Sequence, residues 1–191
     1  ARRRYGLGSD VVVGFLGSFG RWHDIDLIAD LIPGVAARHA NVRFLMAGAT
    51  LDDLSSRQRA KFLAAGDRVV FTGVVPLDEA GFYVAAMDAA LTLFPFIPNF
   101  AASAIKLFEY MAAGRAVVAT AIGQQAEIVR DHVNGILIEP GHGAALGAAI
   151  DELVADPALR RRLGEAARAT ILAEHTWRHN AQRVADVCIE A

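Results

Sequence analysis

The sequence predicts an α/β fold: a doubly wound parallel sheet of six strands with a helical C-terminal tail. Three observations predict it. Short continuous apolar runs, rich in β-branched residues, read as strands buried on both faces. A glycine or a short polar break closes nearly every run. Stretches with helical spacing lie between the runs, so strand and helix alternate along the chain.

Val11–Leu16 is the first run, and Gly17–Gly20 breaks it. Asp24 suits the cap of a helix reaching about His39, with Ile25, Ile28, Leu31 and Ile32 on one face. Pro33 is expected to kink that helix or end it early. Val42–Ala47 is the second strand, closed by Gly48. Leu51–Ala65 reads as one helix with Gly66 just past its end. Val69–Thr72 is the third strand, Leu77–Ala86 a helix and Ala89–Phe94 the fourth strand. After the loop Pro95–Ala102, Ser103 is placed to cap a helix over Ala104–Ala113, which Gly114 ends. Ala116–Thr120 is a strand, Gln124–Arg130 a short helix, Asn134-Gly135 a turn and Ile136–Ile138 the last strand.

Helices fill the rest. Leu146, Ala149, Ile150 and Leu153 mark one, Asp156-Pro157 opens a second, and Thr176 caps a third. On the third, Trp177, Ala181, Val184 and Cys188 share one apolar stripe, so Trp177 and Cys188 are expected to be packed.

The 191 residues suffice for one domain, and 54% apolar against 21% charged residues excludes a disordered chain. Nineteen basic against 21 acidic residues give a net charge of −2, unlike a protein that lives on nucleic-acid phosphates. A single cysteine excludes a disulfide framework within the chain and a multi-cysteine zinc site. No apolar run spans a membrane. Ala1–Arg4 resembles the start of a signal peptide, but Asp10 interrupts and no small-residue cleavage site follows, so a cytoplasmic location is expected. Only Lys61 and Lys106 are lysines among the 19 basic residues, so each lysine calls for a reason.

Several motifs fail. Gly6-Leu7-Gly8 precedes its strand, and Gly14, Gly17 and Gly20 are three apart. No acid closes the second strand, which ends Met46-Ala47-Gly48, so a dinucleotide fingerprint is not expected. Neither lysine follows a glycine, which removes a P-loop. Asp24-Ile25-Asp26 sits where helix capping accounts for it. The six histidines lack metal-ligand spacing, and no metal or cofactor is expected.

Ligands of a doubly wound sheet sit beyond the carboxyl ends of its strands. The informative segment there is Ser103–Ala119. Its helix start offers free N–H groups and a positive dipole end, both suited to phosphate. Lys106 in the first turn opposes the dipole by itself, and an anion placed there would repair this. Glu109 stands among Leu107, Phe108, Tyr110 and Met111, where a ribose diol would supply donors. The residues alone equally allow Glu109 to face water or to pair with Lys106.

This segment resembles the donor-site helix of GT-B glycosyltransferases of the group 1 family. Met87–Ala90, Gly123–Val129, Asn134–Gly141 and the tail from Asp156 to Trp177 are similar to further motifs of that family, in the same order. The resemblance runs from about Val11 to Ala185. It implies a Rossmann-like donor domain over residues 1–191, the C-terminal half of a GT-B fold. Residues 1–10 would be the remnant of an interdomain connection, 143–191 the C-terminal helices, and the acceptor half would be absent. It implies metal-independent transfer from a nucleotide-diphosphate sugar, retaining in outcome, with an isolated chain that binds nucleotide and transfers nothing. Peripheral membrane association of a full-length enzyme and self-association of this chain are open readings.

Site residues follow from the resemblance. Glu109 falls where the family binds the ribose, whereas the first acid of its Glu-x7-Glu pattern becomes Ala101. The phosphate loop becomes Ala102-Ser103-Ala104, so Ser103, Ala104, Ile105 and Lys106 would hold phosphate. The family's two phosphate cations fall at Ser18 and His23, with Arg21 and Lys106 as replacements; a bound diphosphate should raise the pKa of His23. The base would lie against Thr72, Gly73, Val74 and Val75. Gln124 and Gln125 are candidate sugar partners, and Glu127 either contacts the donor or orients its loop. Trp22 either covers the ribose or packs. A nucleotide-sugar epimerase half and a degenerate, non-catalytic nucleotide-binding module are the competing readings.

Overall fold

Uninterrupted runs of Val, Ile, Leu and Ala form the strands, and each helix between them carries the chain back to the start of the sheet. The computed structural model describes residues 1–20, 22–98, 103 and 105–190, with Glu190 described by its backbone alone. The elements are β1 (Val11–Leu16), α1 (Ile25–Arg38), β2 (Val42–Ala47), α2 (Ser56–Ala64), β3 (Val69–Phe71) and α3 (Ala80–Ala86). There follow β4 (Ala89–Thr92), α4 (Ile105–Ala112), β5 (Ala116–Thr120), α5 (Gln124–Ile128) and β6 (Ile136–Ile138). Three helices close the chain: α6 (Gly143–Ala155), α7 (Pro157–Glu174) and α8 (Trp177–Glu190).

All six strands are parallel, in the order β3-β2-β1-β4-β5-β6. The order reverses between β1 and β4, so the crevice beyond their carboxyl ends is where such a sheet receives a ligand. Alternate residues of each strand feed two apolar layers. One gathers Val13, Phe15, Phe44 and Leu91 with Ile28 and Ile32 of α1 and Leu153 of α6. The other gathers Val12, Leu45, Ala90 and Val117 with Leu107 and Tyr110 of α4 and Ala167 of α7.

Residues 1–10, expected as a connection, are docked on the sheet. Leu7 is fully buried, and Arg2 pairs with Asp88. The Asp88 carboxylate also accepts the Val12 N–H at 2.8 Å, which fastens the entry of β4 to β1.

Four expectations are corrected. The helix over 51–65 is two pieces: a 3-10 turn at Leu51–Asp53, then α2. Thr50 with Asp53, and Ser55 with Gln58, build two consecutive capping boxes, and the second starts a new helix. β4 stops at Thr92, because the Phe94 N–H turns aside to Thr120 Oγ1 at 3.0 Å and Leu93 O receives the Asp24 N–H. Of the two outcomes expected at Pro33, the early end does not occur, since α1 runs on to Arg38. Trp177 is 83% exposed and Cys188 is exposed, so the stripe on α8 is not core. Burial in the tail ends at Ile171. Periodicity reveals an apolar face but not what covers it.

α4 and α7 meet at two glycines. Gly114, at φ +68°, leads the chain out of α4, and a Cβ on Gly164 of α7 would lie 2.2 Å from the Gly114 carbonyl oxygen.

Candidate functional site

The site is assembled where β1 ends. Gly17 takes φ +145° and donates its N–H to Ala47 O at 2.9 Å. Gly48, at φ +97°, lies so close that a Cβ there would come within 2.9 Å of Gly17 O. A Cβ on Gly17 would stand 2.8 Å from Lys106 Nζ, so the lysine reaches up to this backbone, and the φ of Gly17 is itself one that other residues rarely adopt.

Tyr110 binds this loop to α4. Its buried hydroxyl accepts the Leu16 N–H at 2.7 Å and donates to Leu16 O at 3.3 Å. Burial pushes the phenol pKa far up, so it remains an O–H donor. Tyr110→Phe is expected to orphan the Leu16 N–H and cost about 1–3 kcal/mol, read as a lowered urea midpoint at unchanged m.

Lys106 extends from the first turn of α4 to the loop after β1. Its Nζ lies 2.9 Å from His23 Nε2 and 4.1 Å from the centre of the Phe15 ring. Among the described residues no carboxylate pairs with it, whereas the other lysine, Lys61, is paired with Asp30. Burial lowers the Lys106 pKa to about 7, against a smaller upward pull from Glu109. His23 sits between the rings of Phe15 and Phe94, with centroids at 5.2 and 5.3 Å. Burial first, then the Lys106 charge, lowers its pKa to about 4. The imidazole is therefore neutral at pH 7 in this structure. When Lys106 is an ammonium it donates to Nε2, which places the ring proton on Nδ1, and Nδ1 has no partner among the described residues.

Glu109, one turn beyond Lys106, is exposed at the edge of a cleft of about 770 Å³ between α4, α5, α7 and the start of α8. Ser103 and Gln124 line the same cleft, and the Ser103 hydroxyl donates to Gln124 Oε1 at 2.8 Å. Ile105 and Glu127 also line it. Gln125 is not brought there: it is fully buried, and its Nε2 donates to Thr120 Oγ1 at 3.3 Å. Ser18 is exposed on the loop after β1, and Trp22 is 53% exposed. Arg21, Ala101, Ala102 and Ala104 lie outside the described residues.

The loop after β3 is tied to the loop after β2. Gly73 donates its N–H to Ala49 O at 3.0 Å and accepts the Gly48 N–H at 3.0 Å. The Thr72 hydroxyl also receives the Gly48 N–H, at 3.3 Å, and donates to Gly73 O. Gly73 therefore has its backbone occupied, and the edge left for a ligand is at Val74 and Val75, of which Val74 is 89% exposed.

Two residues escaped the sequence reading. Tyr110 lies on the buried face Leu107, Tyr110, Met111, where a hydroxyl needs a partner. Phe15, within an apolar strand, carries no sign in sequence that its ring faces a cation. No group of three or more His, Cys, Asp or Glu among the described residues is placed to hold a metal ion, and no helix there is long and apolar enough to cross a membrane.

The strand order and the helix start at the switch point define a Rossmann-like domain of the GT-B kind. The chain belongs to the group 1 glycosyl transferases, whose family model matches residues 10–156. It is 36% identical over 85 residues to alpha-maltose-1-phosphate synthase of Mycobacterium tuberculosis, covering 41% of this chain and 22% of that one. It is 26% identical over 191 residues to the GDP-mannose-dependent alpha-(1-6)-phosphatidylinositol monomannoside mannosyltransferase of Mycolicibacterium smegmatis, covering 97% of this chain and 50% of that one. The fold matches the crystal structure of Anabaena Alr3699/HepE in complex with UDP and glucose, with a TM-score of 0.84 and 21% identity over all of this chain and 51% of that one. Where the whole chain aligns, it spans about half the length of the relatives it matches.

Proposed function

We propose that this chain is the donor-binding part of a glycosyltransferase and receives a nucleotide-diphosphate sugar in the crevice beyond β1 and β4. The observation that carries this reading is Lys106, a half-buried cation without a carboxylate partner among the described residues, in the first turn of α4 and beside the Gly17 loop. A partly desolvated charge left unpaired is costly, and a diphosphate supplies the missing opposite charge. Ser103 and the N–H groups at Ile105 and Lys106 add donors at the same helix end.

In this reading the departing diphosphate is stabilised by Lys106, His23 and the start of α4 as negative charge develops on it. Arg21 and Ser18 belong to the same loop. Glu109 takes the ribose hydroxyls, the edge at Val74 and Val75 meets the base, and Gln124 faces the sugar. Transfer is retaining and needs no metal in this scheme, and the acceptor is held outside this chain. Two of the proteins named above, the GDP-mannose-dependent mannosyltransferase and the structure in complex with UDP and glucose, support the class of donor.

The test is calorimetric titration of the chain with UDP, GDP, ADP and TDP. One nucleotide is expected to bind selectively, and Glu109→Ala to weaken it about 10–100-fold, as for loss of a charged hydrogen bond. Binding that is indifferent to Glu109 would remove the ribose assignment.

A further inference from the structure

Lys106 and His23 answer the same need differently from a permanently charged pair. The lysine is stored on a neutral imidazole and an aromatic face, within a wall made by the Gly17 backbone. The groups around it among the described residues are few. Glu109 and the Tyr110 hydroxyl come from α4 itself, and His23 from the loop after β1. Asp24, next along that loop, caps α1 by accepting the Leu27 N–H at 3.1 Å. Phe15 from β1 and Phe94 beyond β4 contribute only rings.

We propose that Lys106 and His23 form a proton-accepting receptor for the donor's diphosphate, so that the chain takes up a proton from solvent as the nucleotide binds. This rests on the donor-site reading above and adds its regulation. Burial keeps free Lys106 half-deprotonated near pH 7. An adjacent diphosphate favours the ammonium and raises that pKa. The step is a proton transfer alone: the buffer acid loses one proton, Nζ gains it as a third N–H bond, and the three N–H groups then serve the phosphate oxygens and His23 Nε2. His23 is the positioning residue, holding Nζ at 2.9 Å as an acceptor.

Linkage fixes the sign. Above about pH 7 the free chain has lost the proton that the bound chain holds, so affinity falls by up to about tenfold per pH unit. Below that pH both states hold it, and affinity is flat with respect to this group.

The experiment is titration with the same four nucleoside diphosphates at pH 8.0 in HEPES and in Tris, whose ionisation enthalpies differ. Terminal phosphates, with a pKa of about 6, are ionised at that pH and add no proton change. Uptake approaching one proton is expected. Lys106→Met should abolish the uptake and flatten the decline in affinity between pH 7 and 9. His23→Phe, which removes the acceptor, should alter the uptake while Glu109 still contributes to binding. The wild-type measurement stands whether or not either variant folds. Nucleotide binding sensitive to Glu109 but without proton uptake overturns this inference and leaves the donor site intact. Failure of every nucleotide to bind at both pH 6.5 and pH 8.0 overturns both.

Discussion

Gly164→Ala is expected to destabilise the chain by about 1–3 kcal/mol, although alanine is the better helix former. Propensity alone favours alanine by about 1 kcal/mol in a helix interior. The new methyl would stand 2.2 Å from the Gly114 carbonyl oxygen and 2.9 Å from its carbon, both backbone atoms with no rotamer to escape through. α7 must then move away from the end of α4, opening contacts that include Leu107, Tyr110 and Ala167 in one apolar layer. Denaturant unfolding should show a lower midpoint. Because α4 carries Lys106 and Glu109, nucleotide affinity should fall in the same variant, although Gly164 is remote from the ligand. A midpoint equal to or above wild type would show that the helices relax without cost.

Lys106→Met has the opposite sign. Methionine has similar length and no charge to bury, so the variant is expected to be more stable than wild type while binding the diphosphate more weakly. The gap depends on pH. With the folded pKa near 7 and the ordinary value at 10.5, the unfolded chain holds more protons than the folded one between those limits. Wild-type stability therefore rises with pH across that window through this group. Below about pH 7 the burial penalty is present in full, and it disappears as pH rises toward 10.5. Lys106→Met should be most stabilising at pH 6 and progressively less so at pH 8 and 9, by several kcal/mol over the full range. His23, with its pKa lowered to about 4 from 6.5, adds a slope of the same sign in that lower window. A variant less stable than wild type at pH 6 would mean that the lysine already has its counter-charge.

The sheet was legible because its strands are buried on both faces, and such strands are written as unbroken apolar runs: Val11–Leu16 and Val42–Ala47 match to the residue. Helix ends were legible where a cap is spelled out, as at Asp24 and at Asp156 before Pro157. The break between Leu51–Asp53 and α2 was missed because two consecutive capping boxes look like one polar helix surface. Within the site, Lys106 and His23 were marked by residue type, but their contact joins positions 83 residues apart. The direction of their pKa shifts depends on burial that only the fold creates. Gln125 was misread because adjacent glutamines on a helix point about 100° apart, and one of the two had to face inward. Gly164 gave no sign at all, since a close approach needs both partners to be known.

The Tyr110 hydroxyl grips both backbone groups of Leu16 at once, so the last residue of β1 and the middle of α4 move as a unit. In the proposed receptor, the end of β1 that leads to the His23 loop is thereby tied to the helix that carries Lys106. A ligand entering this crevice does not have to draw its own walls together, and little of its attraction is lost to reshaping them.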